Sequence, residues 1–137
     1  MKKVFLMAML AVLTMGYANA QQKNDAQQQA NANGAKIEFV SLEHNYGDVI
    51  KGGDGNCEFQ FTNTGNEPLI LSNVRASCGC TTPSWTKAPV MPGKTGTIKV
   101  RYNTNNLGGF QKRVTVNSNA VNTPTVTLTI KGTVKNN

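Results

Sequence analysis

Apolar and polar residues alternate along much of this chain, and this period of two residues constrains the fold more than any other feature. Successive side chains of a β-strand point to opposite faces of a sheet, so each alternating run predicts a strand with one buried and one hydrated face. No stretch shows a convincing apolar period of 3.6 residues, which an amphipathic helix would require. The predicted strands lie at 37–40, 46–50, 57–62, 69–74, 98–103, 113–117 and 125–131.

Turn-forming sequences separate these strands. Residues 51–55 are rich in glycine, residues 63–68 contain Asn, Gly and Pro, and Pro92 followed by Gly93 has the residue order of a type II turn. Strands that recur every 8 to 12 residues or so, with turns between them, are typical of a β-sandwich. We therefore predict an all-β fold, an immunoglobulin-like antiparallel β-sandwich of about seven strands.

The N-terminus has the three parts of a secretory signal peptide. Lys2 and Lys3 precede an apolar run at 4–15, and small residues at Ala18 and Ala20 follow it. The apolar run is too short to cross a bilayer core, which requires about 20 residues. We predict cleavage after Ala20 and an exported protein with no integral membrane segment. The periplasm is the predicted location, and an extracellular or cell-surface location is the alternative.

The exported part divides into a leader and one domain. Residues 21–35 are polar, with no aromatic, leucine or β-branched residue, and are predicted to be a disordered leader. Residues 36–137 then form a single domain of ordinary size. The net charge of +7 falls to +5 when Lys2 and Lys3 are removed, and the remaining cations are scattered. A nucleic-acid-binding protein would cluster them, so no nucleic-acid partner is predicted.

The chain has three cysteines, and this odd number leaves at least one thiol free or bonded to another molecule after export. Cys57 shares the inward face of its strand with Phe59 and Phe61, which predicts a packing role. If residues 63–68 formed a hairpin, Cys57 would lie opposite Val74, roughly 13 Å from Cys78. A disulfide needs Cα atoms within about 7 Å, so no bridge from Cys57 is predicted.

Cys78 and Cys80 are separated by one residue and leave three interpretations open. In the first, they form a structural corner in which Gly79 permits a tight bend, with or without a labile disulfide, and Trp85 closes over the end of the sandwich. In the second, they are a redox pair, although thioredoxin-like enzymes use C-x-x-C before a helix, and no helix is predicted here. In the third, they bind a soft ion such as Cu(I).

Other catalytic or metal-binding patterns are absent from the sequence. His44 is the only histidine, and only His44 and Cys57 would remain to complete the four ligands of a structural zinc site. The sequence contains no G-x-S-x-G motif and no glycine-rich phosphate loop between a strand and a helix. We predict a protein that is not an enzyme and has no cofactor.

Several short segments of the domain together form a recognisable pattern, namely Tyr46–Val49, Phe59–Gly65, Ser77–Thr81, Pro92–Gly93 with Gly96, and Lys112–Val116. On these segments the chain from Ile37 to Val134 resembles the bacterial domain-of-unknown-function family 1573. The resemblance implies an immunoglobulin-like sandwich, similar to the major-sperm-protein and pilus-chaperone folds, in exported bacterial proteins with no established biochemical activity. Cys57 does not belong to the family pattern.

These observations favour a non-enzymatic binding or scaffolding module of the bacterial cell envelope. Its partner is expected to be an envelope protein, bound through loops or by addition of a strand to an open sheet edge. The sequence leaves the oligomeric state open. The alternative function is that of a thiol-redox or Cu(I)-binding protein that uses Cys78 and Cys80.

Overall fold

The structure is a computed structural model, and it describes residues 33–137. The predicted signal peptide and residues 21–32 of the predicted leader lie outside the described residues. Residues 33–137 contain no helix long and apolar enough to cross a membrane. They form eight strands, which are β1 (Ile37–Phe39), β2 (Glu43–Ile50), β3 (Asn56–Asn63), β4 (Leu71–Ala76), β5 (Thr81–Trp85), β6 (Thr95–Tyr102), β7 (Gly108–Ser118) and β8 (Thr125–Lys135).

Two four-stranded sheets make up the sandwich. One sheet has the strand order β1-β3-β6-β5, and the other has the order β2-β8-β7-β4. All neighbouring strands are antiparallel except β2 and β8, which are parallel. The predicted immunoglobulin-like sandwich is therefore confirmed, with one parallel pair that the alternating pattern did not indicate.

The core lies between the sheets and follows the predicted period of two. In β3 the buried apolar residues are Cys57, Phe59 and Phe61, and the residues between them are exposed. β6 buries Ile98 and Val100 in the same manner. Packing of these inward faces removes the alternating apolar side chains from water, which is the main stabilising contribution to a sandwich of this size.

The structure differs from the sequence-based predictions at two segments. Residues 63–68 do not form a hairpin, because β3 pairs with β1 and β6 in one sheet while β4 pairs with β7 in the other. The expected position of Cys57 opposite Val74 was therefore wrong. Residues 81–85, which are not among the predicted strands, form the edge strand β5.

The ordered domain begins before the predicted boundary at residue 36. Ala35 is 2% exposed, and its carbonyl oxygen accepts a hydrogen bond from the Val121 amide at 2.8 Å. The Gly34 amide donates to Asn66 Oδ1 at 2.8 Å. Residues 33–35 are thus part of the sandwich and were wrongly assigned to the disordered leader.

The two sheet edges on one side of the sandwich are capped or interrupted. In β1, the outward-facing amide and carbonyl of Ile37 bond to Oδ1 and Nδ2 of Asn122 at 3.0 and 2.9 Å. In β2, the Ser41 hydroxyl bonds to both the amide and the carbonyl of Glu43. The ladder of β2 then breaks before Asp48, next to Gly47, whose φ is 65°. Caps and bulges are the usual protection of edge strands.

The edges on the other side are protected at some positions. The Cys80 carbonyl bonds to the Asn103 amide, so by alternation Pro83 directs its nitrogen to the open edge of β5, where it offers no N–H. Before β4, Leu69 and Val90 exchange two backbone hydrogen bonds of 2.8 Å. These features reduce the length of open edge, and binding by strand addition stays a prediction.

Candidate functional site

The loop between β4 and β5 carries a disulfide bond between Cys78 and Cys80, whose Cα atoms are 5.3 Å apart. The loop is fixed to both sheets. The Ser77 amide donates to the Arg113 carbonyl at 2.9 Å, on β7. The Asn103 amide, just after β6, donates to the Cys80 carbonyl at 2.8 Å. The disulfide therefore lies at one end of the sandwich, on a loop with little freedom to move as a whole.

Thr81 lies beneath the disulfide. It is 4% exposed, and its Oγ1 is 3.8 Å from the sulfur atoms of both Cys78 and Cys80. Its amide also donates to the Cys78 carbonyl at 3.4 Å. Thr81 thus places one hydroxyl group within reach of either sulfur, a feature that its position in the sequence did not indicate.

Gly79, between the two cysteines, does not have the structural role expected of it. The residue is exposed, and its φ is outside the left-handed region that favours glycine. Outside its two neighbours in the chain, a Cβ atom at Gly79 would meet no atom within 4 Å. The backbone conformation at residues 78–80 therefore does not require glycine.

A polar cavity of about 440 Å³ adjoins the disulfide. Ligand sites commonly have volumes of about 300–1,000 Å³. Hydrogen bonds hold the walls together, because Thr104 Oγ1 donates to the Gly53 carbonyl and the Tyr102 amide donates to the Gly55 carbonyl. Cys80 and Gly79 are in the lining, whereas Cys78 is not. The other lining residues are the 52–56 loop, Thr82 and the segment 101–105.

Cys57 is a free cysteine, 7% exposed, in the core. Its neighbour in the adjacent strand is Val100. Close by, the Tyr46 hydroxyl donates to the Gly55 carbonyl at 2.7 Å, behind the cavity wall. Burial, together with interaction with Cys57, raises the pKa of Tyr46 above its ordinary value. Burial likewise raises the pKa of the Cys57 thiol, and interaction with Tyr46 offsets part of this rise.

These two pKa shifts predict a loss of stability at alkaline pH. Both groups are neutral when protonated, and the folded state resists their ionisation, so the unfolded state releases protons first. We expect a constant unfolding free energy below the ordinary pKa of the cysteine, 9.0, and a decline through the ordinary pKa of the tyrosine, 10.0, and beyond. Urea unfolding at several pH values measures this. The double variant Tyr46→Phe/Cys57→Ala should flatten the decline, and an equally steep decline in the variant would contradict the assignment.

Trp85 and the Pro92–Gly93 turn do not belong to this site. Trp85 lies at the far end of β5 from the disulfide, half-buried against the core, with Lys87 Nζ 5.2 Å from its ring centroid. Its Nε1 is buried and has no hydrogen-bond partner in the described part of the chain. Gly93 has a φ of 77°, and the Lys94 amide closes the turn onto Met91. Trp85 therefore packs against the core at the end of β5 that is remote from Cys78 and Cys80.

The described residues contain no group of three or more His, Cys, Asp or Glu side chains that could hold a metal ion. His44 packs edge-on against Tyr46, with ring centroids 4.6 Å apart. A Cu(I) site at Cys78 and Cys80 would need both as thiolates, and in the structure they are bonded to each other.

The family model described as "Protein of unknown function (DUF1573)" matches residues 37–134. No curated protein sequence matches the chain. Similar solved structures share the fold at low identity. A protein of unknown function from Porphyromonas gingivalis W83 has a TM-score of 0.66 at 16% identity, over 75% of this chain and 48% of that one. The chain thus spans about half the length of that protein.

Two further structures illustrate the range of this fold. The ASH/PapD-like domain of human CEP192 has a TM-score of 0.63 at 9% identity, over 74% of this chain and 87% of that one. The CsuC–CsuE chaperone–tip adhesion subunit complex of Acinetobacter baumannii contains a chain with a TM-score of 0.55 at 10% identity, over 74% of this chain and 58% of that one. The TM-scores support a shared PapD-like sandwich fold, whereas identities this low support no shared activity.

Proposed function

Because the chain belongs to the DUF1573 family of unknown function, we propose that it is an exported, non-enzymatic binding or scaffolding module of the bacterial cell envelope. The predicted signal sequence supports export. The likeness to a chain of a pilus chaperone–subunit complex supports a role in binding another envelope protein. The binding surface that we propose is the disulfide end of the sandwich.

One observation carries this choice of surface, namely the cavity beside the disulfide. Its walls come from three separate parts of the chain and are held by backbone hydrogen bonds, so they form a pre-arranged concave surface. Binding to rigid loops costs less conformational entropy than binding to mobile ones. The edges of β1 and β2, by contrast, are capped or interrupted at single positions.

Crosslinking tests the proposal. We would express the full chain with its predicted signal peptide and capture partners in the envelope with an amine-reactive crosslinker, which does not depend on the cysteines. Thr82 lines the cavity and Thr64 lies in the turn after β3, and both are exposed. We expect Thr82→Trp to reduce capture at least about fivefold, because a bulky side chain at a binding surface blocks contact, and Thr64→Trp to leave it unchanged. Failure to capture any protein, or equal capture by both variants, would contradict the proposal.

A second candidate function is thiol–disulfide exchange, and the bonded state of Cys78 and Cys80 favours it over Cu(I) binding. A disulfide that closes a ring over only one intervening residue is more readily reduced than a relaxed bond. A thiol count and metal analysis of protein from its native compartment separates the candidates. One thiol per chain, that of Cys57, would agree with exchange, whereas three thiols with bound copper would indicate a metal site.

A further inference from the structure

We propose that the disulfide captures a cysteine thiol of a partner polypeptide, that the attacked atom is Cys80 Sγ, and that the cavity and Gly79 together form the entry path. This inference deepens the second candidate function and rests on it. It also identifies the residues that would direct the reaction, since neither the spacing of the cysteines nor the family resemblance distinguishes one sulfur from the other.

The entry path is defined by what lines the cavity. Cys80 and Gly79 are part of the wall, and Cys78 is not. Five lining residues have side chains that can hydrogen-bond to an extended peptide backbone, namely Asn56, Thr82, Asn103, Thr104 and Asn105. A volume of about 440 Å³ accommodates a few residues of such a peptide. A cysteine carried by that peptide would therefore approach Cys80 first.

Gly79 makes the approach possible. The backbone does not require glycine here, because the φ is ordinary and a Cβ would contact nothing within 4 Å outside the two cysteines. A larger side chain would instead stand over the sulfur atoms and block an incoming thiolate. Access to the attacked sulfur is one of the factors that set the rate of disulfide exchange.

The chemical step is balanced without any further reagent. The partner's thiolate attacks Cys80 Sγ, a new disulfide forms between the partner and Cys80, the Cys78–Cys80 bond breaks, and Cys78 leaves as a thiolate. One disulfide is consumed and one is formed, so no electrons are gained or lost overall. Attack of the Cys78 thiolate on Cys80 Sγ reverses the step and releases the partner thiol.

Thr81 is placed to assist the departure of Cys78. Its Oγ1 is 3.8 Å from the Cys78 sulfur, in a site where Thr81 is only 4% exposed. A hydroxyl donor stabilises a thiolate more than a neutral disulfide sulfur, because hydrogen bonds to charged groups are the stronger ones. The hydrogen bonds of Ser77 to Arg113 and of Asn103 to Cys80 keep the loop in place when the disulfide opens. The thiolate is therefore retained near Cys80.

The test uses N-acetylcysteine amide, which imitates a cysteine residue within a polypeptide, and the oxidised chain from Gln21. After reaction and alkylation, peptide mass spectrometry locates the adduct. We expect the adduct on Cys80 and the alkylated thiol on Cys78. Gly79→Val should lower the exchange rate at least about tenfold through loss of access. Gly109→Val is the matched control, because Gly109 is also exposed with open space and an ordinary φ. It should leave both the rate and the melting temperature unchanged.

Thr81→Val keeps the shape of the side chain and removes the hydroxyl. We expect the exchange rate to fall at least about tenfold, because the Cys78 thiolate loses a hydrogen bond to a charged group. For the same reason the pKa of the Cys78 thiol, read from the pH profile of the reverse reaction, should rise. An adduct on Cys78, a Gly79→Val rate equal to that of the Gly109→Val control, or no reaction at all would each overturn the inference. The binding proposal would survive such results, because its crosslinking test does not involve the cysteines.

Discussion

Replacement of Asn63 by alanine is expected to lower the unfolding free energy by about 3–5 kcal/mol, a large part of the stability of a domain of this size. Asn63 is completely buried. Its Oδ1 accepts hydrogen bonds from the amides of Lys36 and Gly65, and its Nδ2 donates to the carbonyls of Glu67 and Val90 at 2.7 and 2.9 Å. One side chain therefore connects the first strand, the turn after β3 and the segment before β6.

The expected cost arises from the groups that the substitution leaves behind. Alanine removes four hydrogen bonds at once and leaves the backbone amides and carbonyls that bonded to Asn63 without these partners. Each unsatisfied buried polar group costs about 1–3 kcal/mol. Urea denaturation followed by Trp85 fluorescence measures the change. Asn66→Ala is the control, because Asn66 is exposed and its side chain makes two hydrogen bonds. We expect the control to cost less than about 1 kcal/mol, and equal losses in the two variants would contradict the role of Asn63.

The sequence predicted the sandwich because its inward faces are encoded locally. The alternation at Cys57, Phe59 and Phe61 corresponds directly to burial in β3, and the order of Pro92 and Gly93 corresponds to a turn closed by a hydrogen bond. These properties depend only on neighbouring residues. A strand has the same alternation whichever sheet it joins, so the pattern could not show that the 63–68 turn passes from one sheet to the other.

β5 shows a second limit of local reasoning. Proline is disfavoured inside a strand because it removes a backbone donor. No strand was predicted at 81–85, which contains Pro83. The residue is tolerated because Pro83 lies on an edge, with its nitrogen directed away from β6. Only the register between β5 and β6 makes this visible, and register is a property of the tertiary structure.

The candidate site was predictable only in part. The spacing of Cys78 and Cys80 directed attention to the correct loop, but several pairing states were compatible with that spacing. The cavity was missed because its walls come from residues 52–56, 79–82 and 101–105, which are brought together by strand order alone. The glycine-rich turn at 52–55 was the only sequence signal for it, and such turns are common in all-β proteins.

Replacement of Gly55 by alanine is expected to cost at least about 3 kcal/mol and to disrupt the cavity as well, since overpacking against backbone cannot be relieved by a change of rotamer. A Cβ on Gly55 would lie far inside the van der Waals radius of the Tyr102 carbonyl oxygen and 3.1 Å from Thr104 Cγ2. The carbonyl of Gly55 also accepts hydrogen bonds from the Tyr102 amide and the Tyr46 hydroxyl. Any shift that relieves the clash would strain these two bonds.

Gly109→Ala is the matched control for Gly55→Ala, because a Cβ at Gly109 would contact nothing within 4 Å outside its two neighbours in the chain. It should change stability by no more than about 0.5 kcal/mol, as expected for a surface substitution away from special features. Urea denaturation of both variants gives the comparison, and partner capture at a temperature where Gly55→Ala is still folded extends it to function. If Gly55→Ala were as stable as Gly109→Ala, the result would contradict the close approach of the 52–55 loop to β6. The cavity beside the disulfide, which depends on that approach, would then lose its structural basis.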